Sequence, residues 1–320
     1  MPYSHHSHSG QFCKHAVGLL EDVVQTAISK RFHVYGLTEH VPRYRSADLY
    51  PEEDGLTPQD LSTTFDAFIA EASRLRTTYA DRISLLVGLE TEYITPADLD
   101  ALELLLTHHR PRIDYIVGSV HHVHGFSFDF DAPTYEAALR SFTATSDDPA
   151  STLRPFLNAY FDAQHDIITR FQPEIIGHLD LCRLFRPAHR LDRWPDVWAK
   201  VDRNVRAAIA YGALFEFNAA AFRKPGWETA YPGRDVVQLI LGHGGKFALS
   251  DDSHGPHAVG LHYDKLYAYL RDLGISEIWY LERCERPNAA GRLACAKRAE
   301  GDWWQDPFWA PMASSNALDS

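Results

Sequence analysis

The sequence predicts an α/β fold, a distorted (β/α)7 barrel of the TIM type with its chemistry at the C-terminal ends of the strands. Three observations carry this. Short apolar runs alternate with amphipathic helices from Tyr3 to Leu281, the pattern of βαβ units around a parallel sheet. Ile83–Glu90 is a continuous apolar run, as a strand buried on both faces requires. Each predicted barrel strand ends in a histidine or a carboxylate, and barrels of this kind carry their functional residues there.

The elements follow in chain order. Tyr3–His8 is the first strand, and Ala16–Lys30 a helix with Ala16, Leu20, Val23, Val24, Ala27 and Ile28 on one face. His33–Thr38 is strand-like and leads into a loop rich in proline and charge, Val41–Pro58. Leu61–Tyr79 is a helix with Phe65, Phe68, Ile69, Ala72 and Leu75 inward; Ile83–Glu90 is a strand and Ala97–His109 a helix. Tyr115–His121 is the next strand. Tyr135–Phe171 reads as two helices separated by Ser146-Asp147-Asp148-Pro149. The strands Ile175–His178, Leu214–Asn218 and Phe247–Asp251 alternate with the helices Val197–Tyr211, Asp235–Leu241 and His262–Leu273, and Ile278–Leu281 is a last strand. Residues 1–320 are expected to form a single domain, with an aromatic tail from about residue 300 whose Trp303, Trp304, Phe308 and Trp309 pack as a plug.

Composition narrows the class. At 45% hydrophobic residues the chain can bury a sizeable core. A net charge of -12 argues against general nucleic-acid binding and obliges any phosphate site to supply local positive charge. Cys13, Cys182, Cys284 and Cys295 form no CxxC pair, which fits free thiols in a reducing compartment. No apolar run approaches the roughly 20 residues of a membrane span. Met1-Pro2-Tyr3-Ser4 lacks the features of a secretory signal. The expectation is a soluble cytoplasmic protein with no nucleic-acid or membrane partner; a homo-oligomer stays open.

The strand ends carry the chemistry. His6 and His8, two apart, face the same way on a strand, and His15 follows a short loop later. Glu39 and His40 end the second strand, Glu90 the third (with Glu92 beyond), His121 and His122 the fourth, and His178 and Asp180 the fifth. Glu216 and Asn218 lie at the sixth; Asp251, Asp252 and His254 end the seventh. Neutral imidazole is the commonest transition-metal ligand. Buried carboxylates without cations would be costly, and a multinuclear metal site removes that cost. Alternation along a strand requires one of two adjacent residues to face inward and does not say which.

The motifs His6-x-His8, Phe12-Cys13-x-His15, Thr38-Glu39-His40, Gly88-Leu89-Glu90, Ser119-Val120-His121, Gly177-His178-Leu179-Asp180 and Asp252-Ser253-His254 resemble those of the PHP (polymerase and histidinol phosphatase) metal-dependent phosphoesterases. The resemblance spans about residues 3–282 and is strongest to the histidinol-phosphate phosphatases. The stretch from Glu216 to Pro225 resembles that branch in particular, although Ala221-Phe222 stands where Gly-Leu is usual.

The resemblance implies a PHP fold holding three divalent transition-metal ions, zinc, iron or manganese. His6, His8, Glu90 and Asp252 would hold the first. Glu90 would bridge to a second, completed by His121 and His178. His15, His40 and His254 would hold the third. Glu90, Asp252 and His254 would share in catalysis. The implied activity is hydrolysis of a small phosphate monoester, L-histidinol phosphate, to L-histidinol and phosphate in histidine biosynthesis, by a metal-bridging hydroxide. The cations Arg223 and Lys224, and Arg183 just past His178-Leu179-Asp180, are the candidates for binding substrate phosphate. Glu92 or Asp180 could hold the leaving group's amine or imidazole, while Asp180 and Glu39 could equally support metal-binding histidines. The alternatives are another phosphoesterase or nuclease of the superfamily, and a metal-storage protein without catalysis.

Overall fold

The computed structural model describes residues 2–142, 150–310 and 312. Seven parallel strands form its main sheet, in the order β1 (Tyr3–Ser4), β3 (Val34–Leu37), β4 (Ser84–Glu90), β5 (Tyr115–Gly118), β8 (Ile175–Ile176), β9 (Leu214–Asn218) and β10 (Lys246–Ser250). The sheet curls almost shut. On the free side of β1, the His5 amide donates to the Leu249 carbonyl at 3.2 Å. The Ser4 hydroxyl donates to Asp251 Oδ1 at 2.9 Å. Just above, β2 (Ser7–His8) pairs in parallel with β11 (Ser253–His254). The expected first strand is therefore two short pieces with a break at His5–His6, and the break lets the chain pair with β3 below and β11 above.

The helices α1 (Leu20–Ser29), α2 (Pro58–Thr78), α3 (Pro96–His109), α4 (Ala132–Arg140), α5 (Ala150–Phe171), α6 (Pro195–Tyr211), α7 (Arg234–Gly242) and α8 (Tyr263–Asp272) follow the expected ones closely. The largest shift is at α1, where the expected first turn is loop. The separator Ser146-Asp147-Asp148-Pro149 lies outside the described residues. Helix α2 starts where Thr57 Oγ1 accepts from the Asp60 amide at 3.2 Å and Asp60 Oδ2 accepts from the Thr57 amide at 2.8 Å, a reciprocal cap. Its Leu61, Phe65, Phe68, Ile69, Ala72 and Leu75 are buried. Strand β4 is buried from Leu85 to Glu90, as its unbroken apolar run required.

Two features differ from expectation. The last predicted strand exists, as β12 (Trp279–Arg283), yet it is not a barrel stave. It pairs antiparallel with β13 (Ala294–Arg298) in a separate hairpin. Also unpredicted are β11 and, at the rim, a small antiparallel hairpin of β6 (His122–Val123) and β7 (Phe126–Ser127). The aromatic tail packs as expected. Trp303 and Trp309 are fully buried, with Trp309 stacked on Tyr263 at 5.9 Å and Trp303 Nε1 donating to the Ile275 carbonyl at 2.9 Å. Among the described residues no helix is long and apolar enough to cross a membrane.

Candidate metal centre

At the C-terminal mouth of the barrel the strand ends converge on Glu90. Its two oxygens face different histidines. Oε2 lies 3.1 Å from His6 Nε2, 3.3 Å from His8 Nε2 and 3.1 Å from His40 Nδ1. Oε1 lies 3.1 Å from His178 Nε2 and 3.2 Å from His121 Nε2. Asp252 Oδ1 comes within 3.8 Å of His6 Nε2, 3.7 Å of His8 Nε2 and 3.6 Å of His254 Nδ1. Asp252 sits in the left-handed region, φ 47°, as the chain turns out of β10 toward β11. His15 completes an outer edge, its ring centroid 5.3 Å from that of His40 and 5.1 Å from that of His254. Trios able to grip one ion recur through the cluster: His6, His8 and Glu90; His6, His178 and Asp252; His8, Asp252 and His254; His15, His40 and His254. All nine residues expected as metal ligands thus fall in one cluster.

Other carboxylates hold the far side of the imidazoles. Glu216 accepts from His6 Nδ1 at 3.2 Å and from the His178 amide at 2.6 Å. Asn218 Nδ2 donates to Glu216 at 2.8 Å and to Asp252 at 3.2 Å. Glu39 faces His8 Nδ1 at 3.4 Å and accepts from the Ser9 amide and hydroxyl at 2.8 Å. Glu92 lies 2.8 Å from His121 Nδ1 and 3.3 Å from His122 Nδ1. This separates the adjacent histidines: His121 faces Glu90 and His178, while His122 stands behind Glu92. It also puts Glu92 behind the histidines rather than at the mouth.

The residues fit metal ions. His6 Nε2, His8 Nε2 and both ring nitrogens of His40 are buried and form no hydrogen bond despite their close approaches. Buried polar atoms are normally satisfied; here the unsatisfied ones are imidazole nitrogens around the Glu90 and Asp252 carboxylates, together the donor set of a transition metal. The electrostatics agree. Burial would raise the Glu90 carboxyl, but His6, His121 and His40 outweigh it and hold it well below the usual carboxylate range. Burial and the neighbouring His8 push His40 down to about 4. Burial also opposes charge on His8, yet Glu39 and Glu90 lift it to about 9.

Above the cluster opens a cavity of about 370 Å³. Arg223 and Lys224 line it, at the end of the 3-10 turn Ala219–Arg223 that Asn218 Oδ1 caps by accepting from the Ala220 amide at 2.8 Å. Arg223 donates from Nη1 to the Asp251 carbonyl at 3.1 Å and from Nη2 to the Asp252 carbonyl at 2.7 Å, which fixes its guanidinium against the backbone of the Asp251–Asp252 turn.

Arg183 is a correction. It does not reach the mouth; the turn Leu181–Arg183 directs it under the start of α7, where it is buried between Asp180 and Asp235 and lies over Trp227. Asp180 is engaged by Arg183 and by the Gly233 amide at 2.8 Å, so it does not face substrate either. Cavity residues that no motif or spacing marks include Tyr50, Glu52, Asp129, Phe130 and His257. All sit on loops or in short 3-10 turns, away from the strand ends where the apolar pattern points.

The PHP domain model matches residues 4–220, and the chain belongs to the PHP domain family. Within that family its curated relatives are histidinol-phosphatases. It is 45% identical over 286 residues to the Schizosaccharomyces pombe protein named "Probable histidinol-phosphatase", covering 88% of this chain and 90% of the relative. It is 34% identical to the Saccharomyces cerevisiae histidinol-phosphatase, covering 96% and 99%. The solved histidinol phosphate phosphatase of Lactococcus lactis, complexed with zinc, L-histidinol and phosphate, superposes with a TM-score of 0.62 at 17% identity, over 91% of this chain and 98% of that one. That likeness supports the barrel fold.

Proposed function

We propose that this protein hydrolyses L-histidinol phosphate to L-histidinol and phosphate, with three divalent transition-metal ions (zinc, iron or manganese) and residues 1–320 acting as one phosphoesterase unit. The observation that carries this is the placement of Glu90, one oxygen toward His6, His8 and His40 and the other toward His121 and His178. A carboxylate so shared suits two neighbouring cations. His6, His8, Glu90 and Asp252 would hold one ion, with Glu90, His121 and His178 on the next. His15, His40 and His254 would hold the third. The curated relatives' activity supports the choice of substrate.

When bound, the ions would supply an ionised water at neutral pH and neutralise phosphoryl oxygens. The chain's own residues do the rest. Glu216 accepts from the far nitrogen of His6 and fixes that ring's tautomer, while Glu39 and Glu92 set negative charge beside the far nitrogens of His8 and His121. Arg223, held by two backbone carbonyls, keeps further N–H groups for the phosphate, and Lys224 adds charge beside it. Together they supply the local positive charge that a net charge of -12 makes necessary.

Metal analysis paired with a phosphate-release assay over a panel of monoesters tests the reading. L-Histidinol phosphate is expected to be the preferred ester. Metal-loaded protein that leaves it intact while cleaving others would overturn the assignment.

A further inference from the structure

The reaction cavity has two chemically different walls. Arg223 and Lys224 make one cationic; Tyr50, Glu52, Asp129 and Phe130 make the other aromatic and acidic. The loop after β7 builds the second wall. Phe128 is fully buried, and its amide donates to the His121 carbonyl at 3.1 Å. That pins the loop to the strand end carrying the metal cluster, with Asp129 and Phe130 lining the cavity. Tyr50 joins from the long loop before α2, its ring nearly parallel to that of Phe130 (16°, centroids 6.3 Å apart) and 5.8 Å from that of His122.

Asp129 has no evident structural duty that needs its charge. It accepts one hydrogen bond, from the Ser127 hydroxyl to Oδ1 at 3.1 Å. The cap of α4 is Asp131 instead. Neither Asp129 nor Glu52 forms an ion pair among the described residues. Asp129 is only partly exposed, and its charge is felt across the cavity: after burial, it is among the groups that raise the Tyr50 and Tyr231 hydroxyls. With no cation of the chain paired to it, this carboxylate on the cavity lining is left for a cation that substrate brings.

We propose that Asp129 is the specificity determinant for the leaving alcohol: its carboxylate receives a substrate ammonium group, while Tyr50 and Phe130 flank the attached flat ring and Glu52 supplies further negative charge at the rim. The proposal rests on the reading of the cavity as a phosphomonoesterase site, and deepens it by selecting amino-alcohol phosphates over neutral ones. A phosphate dianion is repelled by these carboxylates and drawn to Arg223 and Lys224, so the two charged ends of a zwitterionic ester are sorted to different parts of the lining. Removing one partner of a charge-assisted hydrogen bond in a confined site weakens binding by about 10- to 100-fold.

The test compares two substrates in two enzymes, all metal-loaded: L-histidinol phosphate and its analogue lacking the amine, with wild type and Asp129→Asn. In wild type, kcat/KM favours the amine-bearing ester. In Asp129→Asn that preference is expected to collapse by about 10- to 100-fold, chiefly through KM, with metal content unchanged and Asp129→Glu restoring part of it. Equal losses on both substrates would overturn the proposal, since they would mean that Asp129 supports the metal cluster or the loop. An unaltered preference would overturn it too. Failure of wild type to cleave either ester would instead refute the phosphatase reading, a separate result.

Discussion

His8 and Arg223 occupy different places in the chemistry, and their variants should separate. His8→Ala removes a nitrogen facing Glu90 and Asp252, so bound metal and turnover should be lost together, read by elemental analysis and phosphate release. Arg223→Ala should keep its metal and lose kcat/KM by roughly 10²–10³-fold, the scale of deleting one preorganised donor. Glu39 touches the far nitrogen of His8; Glu39→Gln should weaken metal affinity about 10- to 100-fold without abolishing it, measured by competition with a chelator. His5, amid this histidine-rich start, does something else. Its Nδ1–H donates to the Leu249 carbonyl at 3.0 Å and its Nε2 accepts from the Leu281 amide at 3.0 Å, an arrangement open only to the neutral ring. Burial lowers it from the ordinary 6.5 to about 4. Between those values the unfolded chain takes up the proton and the folded one resists. His5 therefore contributes stability in full above about pH 6.5 and loses it as pH falls toward 4, by up to about 3 kcal/mol. Denaturant titrations should show that loss in wild type in excess of the loss in His5→Gln. Sequence spacing located the strand-end residues because strand ends follow from the apolar pattern. It misplaced Arg183 because three residues of 3-10 turn decide where that side chain points, and no periodicity reports that.

At the level of elements, close approach governs where the ligand-bearing strands lie. A Cβ on Gly36 of β3 would sit 1.9 Å from the Tyr115 hydroxyl and 3.0 Å from the His5 Cα. That hydroxyl donates to the His5 carbonyl at 2.7 Å. Gly36→Ala should therefore push Tyr115 and the first strand apart, costing about 1–3 kcal/mol and weakening metal binding as His6 and His8 shift; thermal unfolding and metal titration read the two effects. The buried helices and strands were legible because their apolar residues recur at the right period. Strand β12 was legible as a strand but not as an outlier, since Trp279–Arg283 resembles any other short apolar run. Its partner β13 was invisible: Ala294–Arg298 mixes small and charged residues and has no strand pattern of its own. The rim hairpin of β6 and β7 is four residues of strand, too short for a period to register, and with it went the cavity wall that includes Asp129.

For the molecule as a whole, the aromatic tail belongs to the scaffold. Tyr263 and Tyr267 of α8 pack against Trp309, and Phe308 lies 6.0 Å from Phe32 beyond α1. Ending the chain before Trp303 uncovers these rings. The melting temperature should drop markedly, since loss of a buried large aromatic costs about 3–5 kcal/mol, while the metal content of the surviving folded fraction should stay the same; calorimetry and metal analysis decide. The seam between β2 and β11 has a further consequence. Residues 5–8 leave the ribosome well before their partners at 249–254. Until then the nascent chain carries an open cylinder with a pair of imidazoles on its unsealed margin. Because His8 and Asp252 face the same small volume across that seam, a cation gripped by both acts as a clasp between distant parts of the polymer, so loading the centre and sealing the cylinder reinforce one another.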